Sequence, residues 1–116
     1  MVSQGKIEMS PGRIHRKIVR TSFHRPGRLV PPTARRMRAR SVLLKPQQTM
    51  PWHSTGPREE LLIVWAGTIR VETQPDATRL SGVTVRAGGC VFVPPQTVHQ
   101  VVNRSPRPAQ YVYVTA

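Results

Sequence analysis

This sequence predicts an all-β fold, a small antiparallel β-barrel or jelly roll, and three observations lead there. Twelve prolines and eight glycines punctuate 116 residues, and Pro breaks helix interiors. Short apolar or alternating segments recur at even spacing between those punctuators, the pattern of a sandwich or barrel. No segment carries a helical hydrophobic period.

The elements follow in order. Residues 1–34 read as extended or loop structure, broken at Pro11-Gly12, Pro26-Gly27 and Pro31-Pro32, with Ile14, Ile18, Val19 and Phe23 as the apolar anchors. Arg35 to Arg40 alternates basic with small or apolar residues and leads into the strand Ser41 to Lys45, ended by Pro46. Met50 to Pro57 carries Trp52 and His53, and Glu60 to Ala66 is a strongly apolar strand stopped by Gly67. Thr68 to Glu72 alternates, which predicts one solvated face. Gln74-Pro75-Asp76 reads as a turn, and Leu80 to Arg86 alternates again with Gly82 as a bulge or turn. Gly88-Gly89 turns into a short buried strand, Cys90 to Val93, in which Cys90 is expected to pack. After Pro94-Pro95, His99 to Asn103 and Gln110 to Val114 are the closing strands, seven or eight in all.

The charge divides the chain in two. Eighteen Lys and Arg against five Asp and Glu give a formal +13. Residues 1–45 hold twelve basic residues and one acid, and residues 46–116 hold six and four. The charge therefore describes a basic N-terminal extension, residues 1–34, ahead of a domain at 35–116. The Arg35, Arg36, Arg38 and Arg40 cluster has two readings: an anion or nucleic-acid patch, or an edge strand kept soluble by charge. No aromatic residues interleave with the arginines, which favours the second. A single cysteine, Cys90, excludes an intramolecular disulfide framework and suits a reducing compartment, hence a cytoplasmic expectation. No apolar run reaches membrane-spanning length, so no membrane partner is expected.

The chemistry-bearing residues are His53, Glu60 and His99. Both histidines flank apolar strands beside prolines, and Glu60 opens the most apolar strand, where a carboxylate needs a cationic partner. Two imidazoles and a carboxylate are the minimum set for a divalent transition metal with open positions. Each also has a plainer reading: a buried His bonded to a backbone carbonyl, or Glu60 paired with Arg58 or Arg70.

The spacing resembles the cupin family of small β-barrels over residues 41–116. The first cupin motif, Gly-x5-His-x-His-x3–4-Glu-x6-Gly, is matched by His53, Glu60 and Gly67. The second, Gly-x5-Pro-x-Gly-x2-His-x3-Asn, is matched by Gly88, Pro94, His99 and Asn103. Thr55 stands at the second His and Gln96 at the motif-two Gly. A looser match, on His53 to Gly56 and Glu59-Glu60, is to a subgroup of small single-domain cupins. The resemblance implies a metal site of His53, Glu60 and His99, with Gln96 or Thr55 as the only candidates for a fourth ligand. It implies Fe, Mn, Ni, Co or Zn as the metal. A small organic ligand would sit in the barrel among Trp65, Phe92, Tyr111 and Tyr113, and a homodimer is expected. Asn103 is expected to fix a turn or strand end through backbone bonds. Three function classes follow: a metal-dependent enzyme of unspecified reaction, a non-catalytic small-molecule-binding or sensor cupin, and a nucleic-acid-associated protein using the basic arm.

Overall fold

The computed structural model describes residues 17–116; the expectations for Pro11-Gly12 and Ile14 lie outside them. Nine strands follow in chain order: β1 (Gly27–Arg28), β2 (Arg38–Leu44), β3 (Thr49–Ser54), β4 (Glu60–Ala66), β5 (Thr68–Asp76), β6 (Arg79–Arg86), β7 (Cys90–Val93), β8 (Val98–Val102) and β9 (Ala109–Thr115). They form two sheets, ordered β1-β2-β9-β4-β7 and β3-β8-β5-β6, with every pairing antiparallel. The expected all-β jelly roll is present, and no helix occurs among the described residues.

Strand periodicity decides what faces inward, because successive side chains point to opposite faces. In β4, Leu62 and Val64 are buried while Leu61 and Ile63 are exposed. The two inner faces close on Val42, Leu44, Leu62, Val64, Ile69, Val71, Val85, Val93, Val101, Ala109 and Tyr111. Asn103 pins the rim as expected: Nδ2 donates to the Leu44 and Arg107 carbonyls, and Oδ1 accepts from the Ser105 backbone and hydroxyl. Gly67 joins β4 to β5 at φ +74°, and a Cβ there would meet the Pro108 carbonyl oxygen at 2.5 Å. Only glycine takes that turn without displacing backbone.

Several local expectations need correction. The turn placed at Gln74-Pro75-Asp76 falls instead at Ala77-Thr78, because Asp76 Oδ1 accepts from both the Thr78 backbone and hydroxyl and so forms the turn itself. Pro75 lies where the β5–β6 register shifts, a position that needs no ladder donor. Gly82 is neither turn nor bulge: it pairs with Glu72, and a Cβ there would meet the Arg70 guanidinium at 2.8 Å. β7 is buried on one side only. Cys90 and Phe92 face outward and are exposed, since Phe92 lies opposite the outward-facing Leu61. β2 is not the free edge, because Gly27 and Arg28 pair with Ser41 and Arg40. The preceding segment also touches the sheet: Ser41 Oγ donates to the Phe23 carbonyl, and Phe23 and His24 pack on Trp65. Ile18 and Val19 are exposed and anchor nothing.

Candidate metal centre and ligand cavity

His53 and His99 come together because β3 and β8 pair them directly opposite each other. Directly paired side chains share a face, and the two ring centroids lie 4.3 Å apart. Glu60, the first residue of β4, faces them from the other sheet. One ligand atom from each residue lies within 4.8 Å of the other two, so the three form a group that could hold a metal ion.

The hydrogen bonds orient the rings. His53 Nδ1 lies 2.7 Å from the Pro51 carbonyl, and His99 Nδ1 lies 3.0 Å from the Thr97 carbonyl. A carbonyl only accepts, so each Nδ1 carries a proton and Nε2 is the nitrogen left available to a further partner. This is the arrangement of metal-ligating histidines, whose second nitrogen is held by a backbone or carboxylate acceptor. His99 is fully buried. Its Nε2 has no hydrogen-bond partner, although Glu60 Oε2 is 3.4 Å away. A buried polar atom without a partner is costly, and a cation between Nε2 and the carboxylate would satisfy both. Burial opposes protonation of this ring, but the Glu60 carboxylate and the Thr97 carbonyl outweigh it and hold the His99 pKa above the ordinary histidine value. The site therefore favours positive charge at that spot.

Neither candidate for a fourth ligand joins the group. The Thr55 hydroxyl donates to the Pro94 carbonyl at 2.7 Å and accepts from the Thr97 backbone at 3.1 Å, so it clasps two loops together. Gln96 is exposed at φ 55°, and its backbone N–H donates to the Gly56 carbonyl.

A cavity of about 380 Å³ reaches two of the three, His53 and Glu60, with Tyr111, Tyr113, Arg38 and Arg58 also among its walls, while His99 lies buried behind them. That volume lies within the range of small-molecule sites. Tyr111 is 1% exposed. Burial pushes its pKa upward, and the Glu60 and Tyr113 charges add to this, so it is a neutral phenol. Arg58 does not pair with Glu60; it donates to the Arg36 carbonyl at 2.6 Å.

The cupin-domain family model matches residues 40–115. The chain belongs to the cupin family. Its fold is similar to the cupin domain of Schizosaccharomyces pombe Cnp3, with TM-score 0.67, 14% identity and coverage of 78% of this chain and 62% of that one. A Klebsiella pneumoniae protein with a double-stranded β-helix domain aligns with TM-score 0.66 and 22% identity over 84% of this chain and 82% of that one. An oxalate oxidase aligns with TM-score 0.61 and 23% identity over 68% of this chain, but this chain spans only 41% of that one. No curated protein matches the sequence.

In this cupin, two residues expected around the ligand lie elsewhere. Trp65 is on the outer side of its sheet against Phe23 and His24, and Phe92 is exposed on the same side. Trp65 shares the parity of the exposed Leu61 and Ile63 in β4, and Phe92 is paired with Leu61, so both lie on the face opposite to Glu60 and Leu62. The Arg cluster is also divided. Arg38 lines the triad cavity, Arg40 lines a neighbouring one, Arg36 supplies a backbone carbonyl, and Arg35 is exposed. Sequence reasoning missed Glu72, which alternation places on a solvated face. It is fully buried under Arg70, Arg104 and Gln100, all bonded to its carboxylate. A signal was present, since Gly82 opposite leaves the room that Arg70 fills.

Proposed function

We propose that this cupin binds a divalent transition metal through His53, Glu60 and His99, and a small organic ligand in the cavity beside it. The observation that carries this reading is the buried, partnerless Nε2 of His99 beside the Glu60 carboxylate. Two imidazoles and a carboxylate with open positions suit Fe(II), and also Mn, Ni, Co or Zn. A metal so held supplies Lewis-acid polarisation of a bound oxygen. The chain's own residues orient the imidazoles through the Pro51 and Thr97 carbonyls, offer the Tyr111 and Tyr113 hydroxyls, and wall the cavity. An oxalate oxidase related in fold has been solved with the substrate analogue glycolate, which supports a small ligand in a barrel of this kind.

A second reading is a non-catalytic sensor or binding cupin that keeps the barrel but has lost full metal affinity. Thr55 favours it, because the residue at the second-histidine position offers a neutral hydroxyl already engaged in clasping two loops. Elemental analysis of protein purified without a His tag decides between them. Stoichiometric metal that disappears in His99→Ala supports the metal reading. No bound metal, and no rise in melting temperature with Fe, Mn, Ni, Co or Zn, overturns it and leaves the second.

A further inference from the structure

Beside the triad cavity lies a second one, of about 390 Å³, between β2 and the segment that precedes it. Arg28, Arg38, Arg40, Pro31, Ala34 and Tyr113 are among its walls, and no carboxylate lines it. Arg38 and Tyr113 line both cavities, so the two adjoin across those side chains.

Arg28, Arg38 and Arg40 are exposed, but they are gathered on one concave surface rather than spread along a strand face. Val42 and Leu44 point into the core, so period-2 alternation puts Arg40 and Arg38 on the same row, of which they form the solvent-exposed end. The register seats Arg40 opposite Tyr113 and Arg38 opposite Thr115, continuing the row of Tyr111. Arg28 is paired directly with Arg40 across the β1–β2 ladder. Like charges directly opposite on neighbouring strands are destabilising. Here the repulsion is built into a concave site, and an anion between the two guanidiniums removes it. The wall is also preorganised. Leu29 N–H bonds the Ala39 carbonyl, Ala34 N–H bonds the Pro31 carbonyl, and Pro31-Pro32 stiffens the connection.

We infer that this second cavity is the anion-binding half of the ligand site, and that the ligand is a small organic anion. Its carboxylate or phosphate sits among Arg28, Arg38 and Arg40 while its other end reaches past Tyr113 toward His53, Glu60 and His99. Guanidinium forks match both anions in bidentate geometry. The extension toward the triad rests on the metal reading; the arginine half stands without it. A nucleic-acid duplex fits less well, because it calls for phosphate contacts spread along an open surface, whereas these arginines converge on one cavity.

The test is calorimetric titration of the full chain, metal-free and metal-loaded, with inorganic phosphate, succinate, acetate and a short random DNA duplex. Phosphate and succinate are expected to bind the metal-free protein. Arg40→Gln or Arg28→Gln is expected to weaken that binding about tenfold or more, and Arg86→Gln, an exposed position on β6 that lines neither cavity, to leave it unchanged. Arg40→Gln in anion-free buffer is expected to melt no lower than the wild type, because the like-charge pair is gone. Metal loading is expected to strengthen succinate more than acetate, with the gain lost in both His99→Ala and Arg40→Gln. No small-anion binding to the metal-free wild type, or binding indifferent to both arginine variants, overturns the inference. So does duplex binding lost in Arg40→Gln with no effect of phosphate, which assigns the cluster to nucleic acid. Phosphate held through Arg40 in a protein that takes up no metal overturns only the metal reading.

Discussion

At the scale of single residues, two polar side chains hold loops where apolar packing is absent. Asn103 is fully buried and makes four bonds across the rim of the barrel. Asn103→Ala removes the side-chain donor to the Leu44 carbonyl and leaves the Arg107 carbonyl to the Ser105 hydroxyl, so a loss of about 1–3 kcal/mol is expected, read as a lower urea midpoint. Thr55 performs a similar task between the β3–β4 and β7–β8 loops. Thr55→Ala is expected to cost about 1–2 kcal/mol of stability yet keep the metal stoichiometry of the wild type. Loss of metal in this variant would make Thr55 a ligand after all. Asn103 was legible in the sequence as a strand-end residue in the second motif. The role of Thr55 was not, because its two partners, Pro94 and Thr97, lie about forty residues further along the chain and meet it only in the folded barrel.

At the scale of elements, the outer face of β5 holds a buried charge. Burial works against ionisation of Glu72, but hydrogen bonds from Arg104, Gln100 and Arg70 outweigh it and lower its pKa. A carboxylate whose pKa is lower in the folded state stabilises the fold fully above its unfolded value, about 4.3, and loses that contribution as pH falls through the folded value. The wild type is therefore expected to lose stability more steeply than Glu72→Gln as pH falls below about 4.3, and to be the more stable of the two at pH 7. Urea midpoints against pH test this; parallel curves for the two proteins would sink it. Alternation correctly gave the facing of β5, but a face is solvated only if nothing lies over it. The cover comes from Arg104, which follows β8 and reaches back across the sheet.

The N-terminal segment belongs to the same scale. Phe23 meets Trp65 at 5.2 Å between ring centroids in an edge arrangement. Phe23→Ala is expected to lower stability by about 1 kcal/mol and to shift tryptophan fluorescence to the red as the Trp65 ring is uncovered. An unchanged spectrum would mean that the segment does not stay on the sheet.

For the whole molecule, the exposed outer face of the five-stranded sheet bears on the expected homodimer. Leu61 and Phe92 are directly paired and exposed, and Ile63 lies on the same face. Contiguous exposed apolar side chains mark association surfaces. Light scattering is expected to find a dimer, and Leu61→Glu with Phe92→Glu is expected to give a folded monomer. A monomeric wild type at working concentration would remove this surface from consideration.

What the sequence alone determined about this protein is its periodicity and spacing: an all-β jelly roll, the order of its strands, and His53, Glu60 and His99 as the polar residues that belong together. These are readable because alternation and turn chemistry are local, and the two motifs set fixed distances along the chain. Only the tertiary structure decided which residues wall the cavity, that Trp65 and Phe92 lie outside it, that Glu72 is buried, and that Arg38 and Arg40 line a cavity with Tyr113. The physical reason is common to all of these. Alternation assigns residues to two faces but does not say which face is covered, and coverage depends on strands and side chains far away in sequence. The basic charge shows it best: as a count it marked an appended arm, and as a structure part of it lines a cavity adjoining the one walled by His53 and Glu60.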